Sequence, residues 1–189
     1  MYDLPTTVTI NGKVFKIHNN GDYRAILNTI AVYQDQELTQ EEQILTALTV
    51  FYEDINSIED IEKLGDIKQA VYEMMRFIAA NDEETGAKMP HKLIDWEQDE
   101  KLIVSAVNKV AGTEIRALPY LHWWTFIGYY MAIGECSLST VVGIRSKIMR
   151  GKKLEKYEQD FKRQNPQYFT WKKDQKEAEQ LLSKIWQEE

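Results

Sequence analysis

Three histidines, one cysteine and several clusters of carboxylates are the residues of this chain that could do acid–base, nucleophilic or metal chemistry. The histidines are His18, His91 and His122, and the cysteine is Cys136. One cysteine permits neither a zinc-finger spacing nor an intrachain disulfide, which suits a reducing compartment. His91 and Asp95 are four apart and would share a helix face. Pro90 places them at a helix start, and two side chains do not make a metal site. A nucleophilic Cys136 needs a nearby base and a lowered pKa; no partner is apparent, so it reads as a small apolar residue. The clusters Glu41-Glu42, Asp82-Glu83-Glu84 and Asp95 to Glu100 fall where helices are expected to begin, and negative charge there offsets the helix dipole. Neither GxGxxG nor GxxxxGK[ST] occurs. The chain is expected to be no enzyme, with no catalytic residue, no metal and no cofactor.

The aromatic residues are the stronger signal. Leu118–Gly134, LPYLHWWTFIGYYMAIG, holds six aromatics in 17 residues and no formal charge apart from a proton on His122. A membrane-spanning helix needs about 20 predominantly apolar residues. This run is shorter and interrupted by Pro119, His122, Thr125 and two glycines, so no membrane span is expected. Trp123 and Trp124 are adjacent and so point about 100° apart on a helix. Either both are core, or one enters the core and the other lies at its edge, where tryptophan is common in interface hot spots. His122 reads as a packed histidine bonded through one nitrogen.

The elements that must position these residues follow from periodicity. Thr6–Ile10 and Lys13–Ile17 are rich in β-branched and aromatic residues and flank Asn11-Gly12, the signature of a hairpin with a type I′ turn. Val8 and Ile10 share one face, as do Phe15 and Ile17, and that face should pack on helices. Asp22 caps a helix carrying Tyr23, Ile26, Leu27, Ile30 and Tyr33. Thr39 and Glu42 have capping-box spacing. A short turn or helix over Asn56–Leu64 and helices over Asp66–Ala80 and Asp95–Ala111 follow, with a polar loop at Asn81–Pro90 and Gly112 as a helix-ending glycine. The aromatic helix should start at Pro119, and another spans Leu138–Met149. Leu154, Tyr157 and Phe161 keep helical spacing until the break at Asn165-Pro166. The expected fold is mainly α: an N-terminal β-hairpin (6–17) and a compact bundle of six or seven helices, as one domain over 1–165. Residues 166–189 form a C-terminal amphipathic helix with Leu182, Ile185 and Trp186 on its stripe, docked or partner-binding.

At 189 residues and 43% hydrophobic content, the chain can bury a substantial core. The N-terminus has no basic region followed by an apolar run, so no signal peptide is expected. The net charge is −7 but uneven. Met1–Ile144 carries 11 basic and 22 acidic residues, whereas Arg145–Lys176 carries 11 basic and four acidic ones. Such a strip can bind nucleic acid, lie on the chain's own acidic surface, or meet an acidic partner or second copy. It can also be an ordinary solvated helix. The absence of a nucleic-acid motif favours protein pairing. The candidate partner-binding residues are Trp123, Trp124, Arg145, Lys152, Lys153, Tyr157, Phe161, Trp171, Leu182, Ile185 and Trp186.

At LHWW the chain resembles the bacteriophage Gp-fifteen family. The resemblance rests on the leading LPTTVTINGKVFKI, DWEQDEKLI with its Trp96-x-x-Asp99, LPYLHWWTFIGYY, Ile144-Arg145 and the basic GKKLEKYEQDF, and extends over roughly residues 1–165. It implies a tail-morphogenesis protein encoded between the tail-tube and tape-measure genes, the position of tail assembly chaperones. Such a protein would bind the tape-measure protein and tail-tube subunits, self-associate, work in the bacterial host cytoplasm during assembly and be absent from the mature virion. A nucleic-acid-binding accessory protein using Arg145–Lys176 is the alternative.

Overall fold

The structure is a computed structural model that describes residues 3–35, 37–80 and 93–171. The fold is mainly α, with an N-terminal two-stranded antiparallel hairpin. Strands β1 (Thr7–Ile10) and β2 (Lys13–Lys16) pair in the register Thr7–Lys16 to Ile10–Lys13. Asn11 and Gly12 hold φ of 48° and 78°, the two left-handed positions of a type I′ turn. Val8, Ile10, Phe15 and Ile17 are buried and Val14 is exposed, as the alternation requires.

The described helices are α1 (Tyr23–Tyr33), α2 (Gln40–Phe51), α3 (Ile67–Ile78), α4 (Glu100–Ala111), α5 (Trp123–Met131), α6 (Ser137–Met149) and α7 (Lys156–Gln164). The predicted caps form. Asp22 accepts from the Arg24 amide, and Thr39 and Glu42 close a reciprocal capping box. A 3-10 helix, Ile58–Leu64, occupies the Asn56–Leu64 segment. Gly112 follows α4 at φ 70°, as expected of a helix-ending glycine. α7 stops at Gln164, and Pro166 opens a 3-10 turn, Pro166–Tyr168.

Two helix starts differ from expectation. α4 begins at Glu100 because Asp95–Asp99 is wound into a turn by carboxylates. Asp95 Oδ1 accepts from the amides of Glu97 and Gln98, and Asp99 Oδ2 accepts from the Asp95 amide. α5 begins at Trp123, not Pro119. The Tyr23 amide donates to the Leu121 carbonyl at 2.9 Å, and Asp22 and His122 form an antiparallel bridge. These bonds hold Leu121-His122 extended and delay the helix. The expected loop at Asn81–Pro90, His91 and the stripe Leu182, Ile185 and Trp186 lie outside the described residues.

The chain that sequence reading treats as one domain over 1–165 groups into two compact units, Met1–Met89 with Val110–Ala132, and Pro90–Lys109 with Ile133–Glu189. In the first, the hairpin's apolar face, α1, α2, α3 and α5 enclose an aromatic core. Phe51 contacts Tyr52 and Phe77 edge-on, Tyr23 stacks on Phe126 at 4.8 Å, and Trp123 stacks on Phe126 at 5.6 Å. In the second, Leu138, Val141 and Ile144 of α6 and Ile103, Val104 and Val107 of α4 are buried.

Candidate partner-binding site

The LHWW segment, Leu121–Trp124, is bonded inward at every residue. The Leu121 amide donates to Asp22 Oδ2 at 3.0 Å. His122 is the N-cap of α5: its Nδ1 accepts from the Trp124 amide at 3.0 Å, and its Nε2–H donates to the Pro5 carbonyl at 2.9 Å. Those two bonds specify the neutral Nε2–H tautomer. Burial holds the imidazole pKa below its ordinary value; the bond to Pro5 and the charge of Asp22 oppose that shift. The two indoles donate to consecutive carbonyls at the C-terminal end of α3, Trp123 to Ile78 and Trp124 to Phe77, each at 2.9 Å. The Ile78 carbonyl is one that a helix end leaves without an intrahelical partner, and the Phe77 carbonyl accepts from the Ala80 amide as well. Trp123 is 1% exposed and Trp124 is half-buried. Of the two readings the structure has one core and one edge tryptophan, and both polar ends are turned to the chain's own backbone.

Gly21 permits this joint. Its φ is 76°, and a Cβ there would lie 2.9 Å from Phe77 Cζ and 3.2 Å from His122 Nε2. A side chain would strain the backbone and displace the capping histidine. Arg24 adds a clamp: Nη1 pairs with Asp22, and Nη2 donates to the Leu118 carbonyl at 2.7 Å.

In the other unit, Arg145 is not on the surface. It is 4% exposed and forms a bidentate pair with Asp99, which is fully buried. Its Nη1 also donates to the Leu93 carbonyl and its Nε to the Tyr168 carbonyl, and Trp171 covers the guanidinium at 4.3 Å. Arg145 and Trp171, expected to meet a partner, instead brace α6 against the turn before α4 and the segment after α7. The physical reason is geometric. The planar fork reads a carboxylate and two carbonyls at once, and a buried charge is tolerated only when so completely paired.

The rest of the strip divides in two. Lys147 Nζ pairs with the buried Glu158 at 2.7 Å, and Glu158 also accepts from the Glu155 amide. The bond to Lys147, first, holds the Glu158 carboxyl below the usual carboxylate range. Arg163 pairs with Asp160. Arg150, Lys152, Lys153, Lys156 and Lys162 remain exposed and in no ion pair among the described residues. A Schellman turn presents Arg150, Lys152 and Lys153, and α7 carries Lys156 and Lys162. The Gly151 amide donates to the Ile148 carbonyl, the Lys152 amide to the Lys147 carbonyl, and Gly151 is left-handed at φ 63°. Tyr157 is 66% exposed, whereas Phe161 packs edge-on against Phe169. An open groove lined by Leu154, Gln159, Lys162, Arg163, Pro166 and Phe169 borders these residues.

Of the predicted partner-binding residues, Lys152, Lys153 and Tyr157 are exposed. Trp123 and Arg145 are interior, and Trp124, Phe161 and Trp171 are partly covered. The buried Asp99–Arg145 pair was not foreseen as a contact; its signal was that both residues stand among those carrying the family resemblance. Among the described residues there is no cluster of three metal-ligating side chains and no helix long and apolar enough to cross a membrane.

Comparison with curated proteins and with solved structures returned no match. The family model described as Bacteriophage Gp15 protein matches residues 1–169, a span that contains the hairpin, the LHWW joint, the Asp99–Arg145 pair and the lysine-rich α6–α7 corner. This chain belongs to the bacteriophage Gp15 protein family.

Proposed function

We propose that this phage protein is a non-enzymatic tail assembly chaperone, active in the host cytoplasm and absent from the finished virion. It would bind the tape-measure protein and tail-tube subunits through protein contacts and self-association. The family match supports a structural or assembly role. The observation that carries the finer reading is the α6–α7 corner, where Lys152, Lys153 and Tyr157 are exposed and an open groove on α7 is lined by Leu154, Pro166 and Phe169 together with Gln159, Lys162, Arg163 and Thr170. Tyrosine and apolar side chains supply contact area, while rim lysines steer an acidic partner.

Co-expression with the tape-measure protein tests the reading. The expected result is a soluble complex that co-purifies, weakened by Lys152→Glu, Lys153→Glu and Tyr157→Ala together. A tape-measure protein that stays insoluble and unbound overturns it. The five exposed cations also favour a second reading, nucleic-acid binding. DNA or RNA retardation at about 50 mM salt that falls steeply as salt rises would select it, because backbone contacts release counterions.

A further inference from the structure

The exposed cations of α6–α7 have a counterpart within the same sequence. No lysine or arginine occurs from Ala25 to Glu62, and residues 53–62, EDINSIEDIE, hold five carboxylates. Asp60 is paired with Lys63 at 2.6 Å. Glu53, Asp54, Glu59 and Glu62 are exposed and in no ion pair among the described residues, and Ile58 among them is 52% exposed. Thus the first unit presents Ile58 in a segment of carboxylates that is bordered by Lys63, by Lys13, whose Nζ donates to the Lys63 carbonyl, and by Lys16, whose carbonyl accepts from the Glu53 amide. The second carries exposed Tyr157 beside exposed Lys156 in sequence and shortly after exposed Lys152 and Lys153, with Glu155 also exposed and Glu158 accepting from the Tyr157 hydroxyl. The two segments are predominantly opposite in sign.

We propose that, when no client occupies it, the α7 face docks a second copy of this chain through that copy's 53–62 segment. The contact is heterologous, since different patches of two identical chains meet. A pair therefore leaves one patch free on each copy, and association continues into a ring or an open helical array. Surface charge pairs are individually weak and screened by salt, so the association should be concentration-dependent and salt-sensitive. The inference extends the self-association in the proposed function and names its surfaces.

Sedimentation velocity on the full chain tests it, at about 50 mM and about 500 mM NaCl. The wild type should form oligomers that dissociate at high salt. Lys152→Glu/Lys153→Glu/Lys156→Glu and, separately, Glu53→Lys/Asp54→Lys/Glu59→Lys should each weaken association about tenfold or more. Mixing the two variants, whose altered faces are again complementary, should restore it, and circular dichroism checks that each is folded. A chain monomeric at every concentration overturns the proposal. So do oligomers indifferent to salt and to both reversals, or variants that fail to recover on mixing. A monomer that still binds the tape-measure protein removes this inference and leaves the chaperone reading intact. Salt-sensitive oligomers that bind no tape-measure protein do the reverse.

Discussion

The LHWW joint and the α6–α7 corner are both rich in groups that make interfaces, yet they use them in opposite ways. At the joint, a histidine and two tryptophans spend their hydrogen bonds on Pro5, on the start of α5 and on the end of α3. At the corner, one arginine is completely enclosed while the lysines around it stay in water. The difference teaches that residue type alone does not mark a contact surface. Tryptophan and arginine, the usual anchors of interfaces, are here the residues that hold the chain together. Lysine and a lone tyrosine form the outward face.

The largest effect that tests this contrast is at the enclosed ion pair. Asp99→Ala should cost about 3–5 kcal/mol, because it strands a buried guanidinium. Replacing Asp99 and Arg145 together with apolar residues should recover much of that loss. Urea denaturation followed by circular dichroism measures both. An Asp99→Ala cost below about 1 kcal/mol would return Arg145 to the exposed strip.

At the joint, Trp123→Ala should cost about 3–5 kcal/mol and Trp124→Ala clearly less, since only Trp123 is fully enclosed. Equal costs would mean that the two indoles are equally part of the core.

His122 gives a smaller, pH-dependent effect. Its folded pKa lies below the ordinary value of 6.5, so the unfolded chain takes up a proton first as pH falls. The contribution is complete above about pH 6.5 and is lost as pH drops through that value toward the depressed folded pKa. The urea midpoint should therefore fall between about pH 7 and about pH 5. His122→Asn, which keeps a capping oxygen, should flatten this part of the profile. An unchanged profile would remove the imidazole from the joint.

The smallest effect on stability is expected where the effect on association is largest. Lys152→Glu/Lys153→Glu/Lys156→Glu should shift the unfolding midpoint by no more than about 0.5 kcal/mol would. A greater loss would make the corner as structural as the joint.

The local rules were legible in the sequence wherever one or two neighbouring residues decide the outcome. Asn11-Gly12 specifies its turn, Thr39 and Glu42 specify their capping box, and Gly112 marks the end of α4. The α5 start was not legible. Pro119 is a good first helical residue, but Tyr23, almost a hundred positions earlier, holds Leu121 extended. Arg145 was misread for a related reason. Its neighbours in sequence are basic, and nothing in that run reveals that Asp99 meets it. Lys152, Lys153 and Tyr157 were readable because their exposure depends on a short helix and a turn.

The bidentate pair also constrains how this protein can diverge. Replacement of Arg145 by lysine keeps the charge but loses the planar fork that serves Asp99, Leu93 and Tyr168 together. A change at Asp99 alone strands the arginine. Descendant chains should therefore keep both residues or exchange both at once, while the exposed lysines nearby drift between lysine and arginine. Covariation of these two positions across the phage family would be the historical trace of one buried contact.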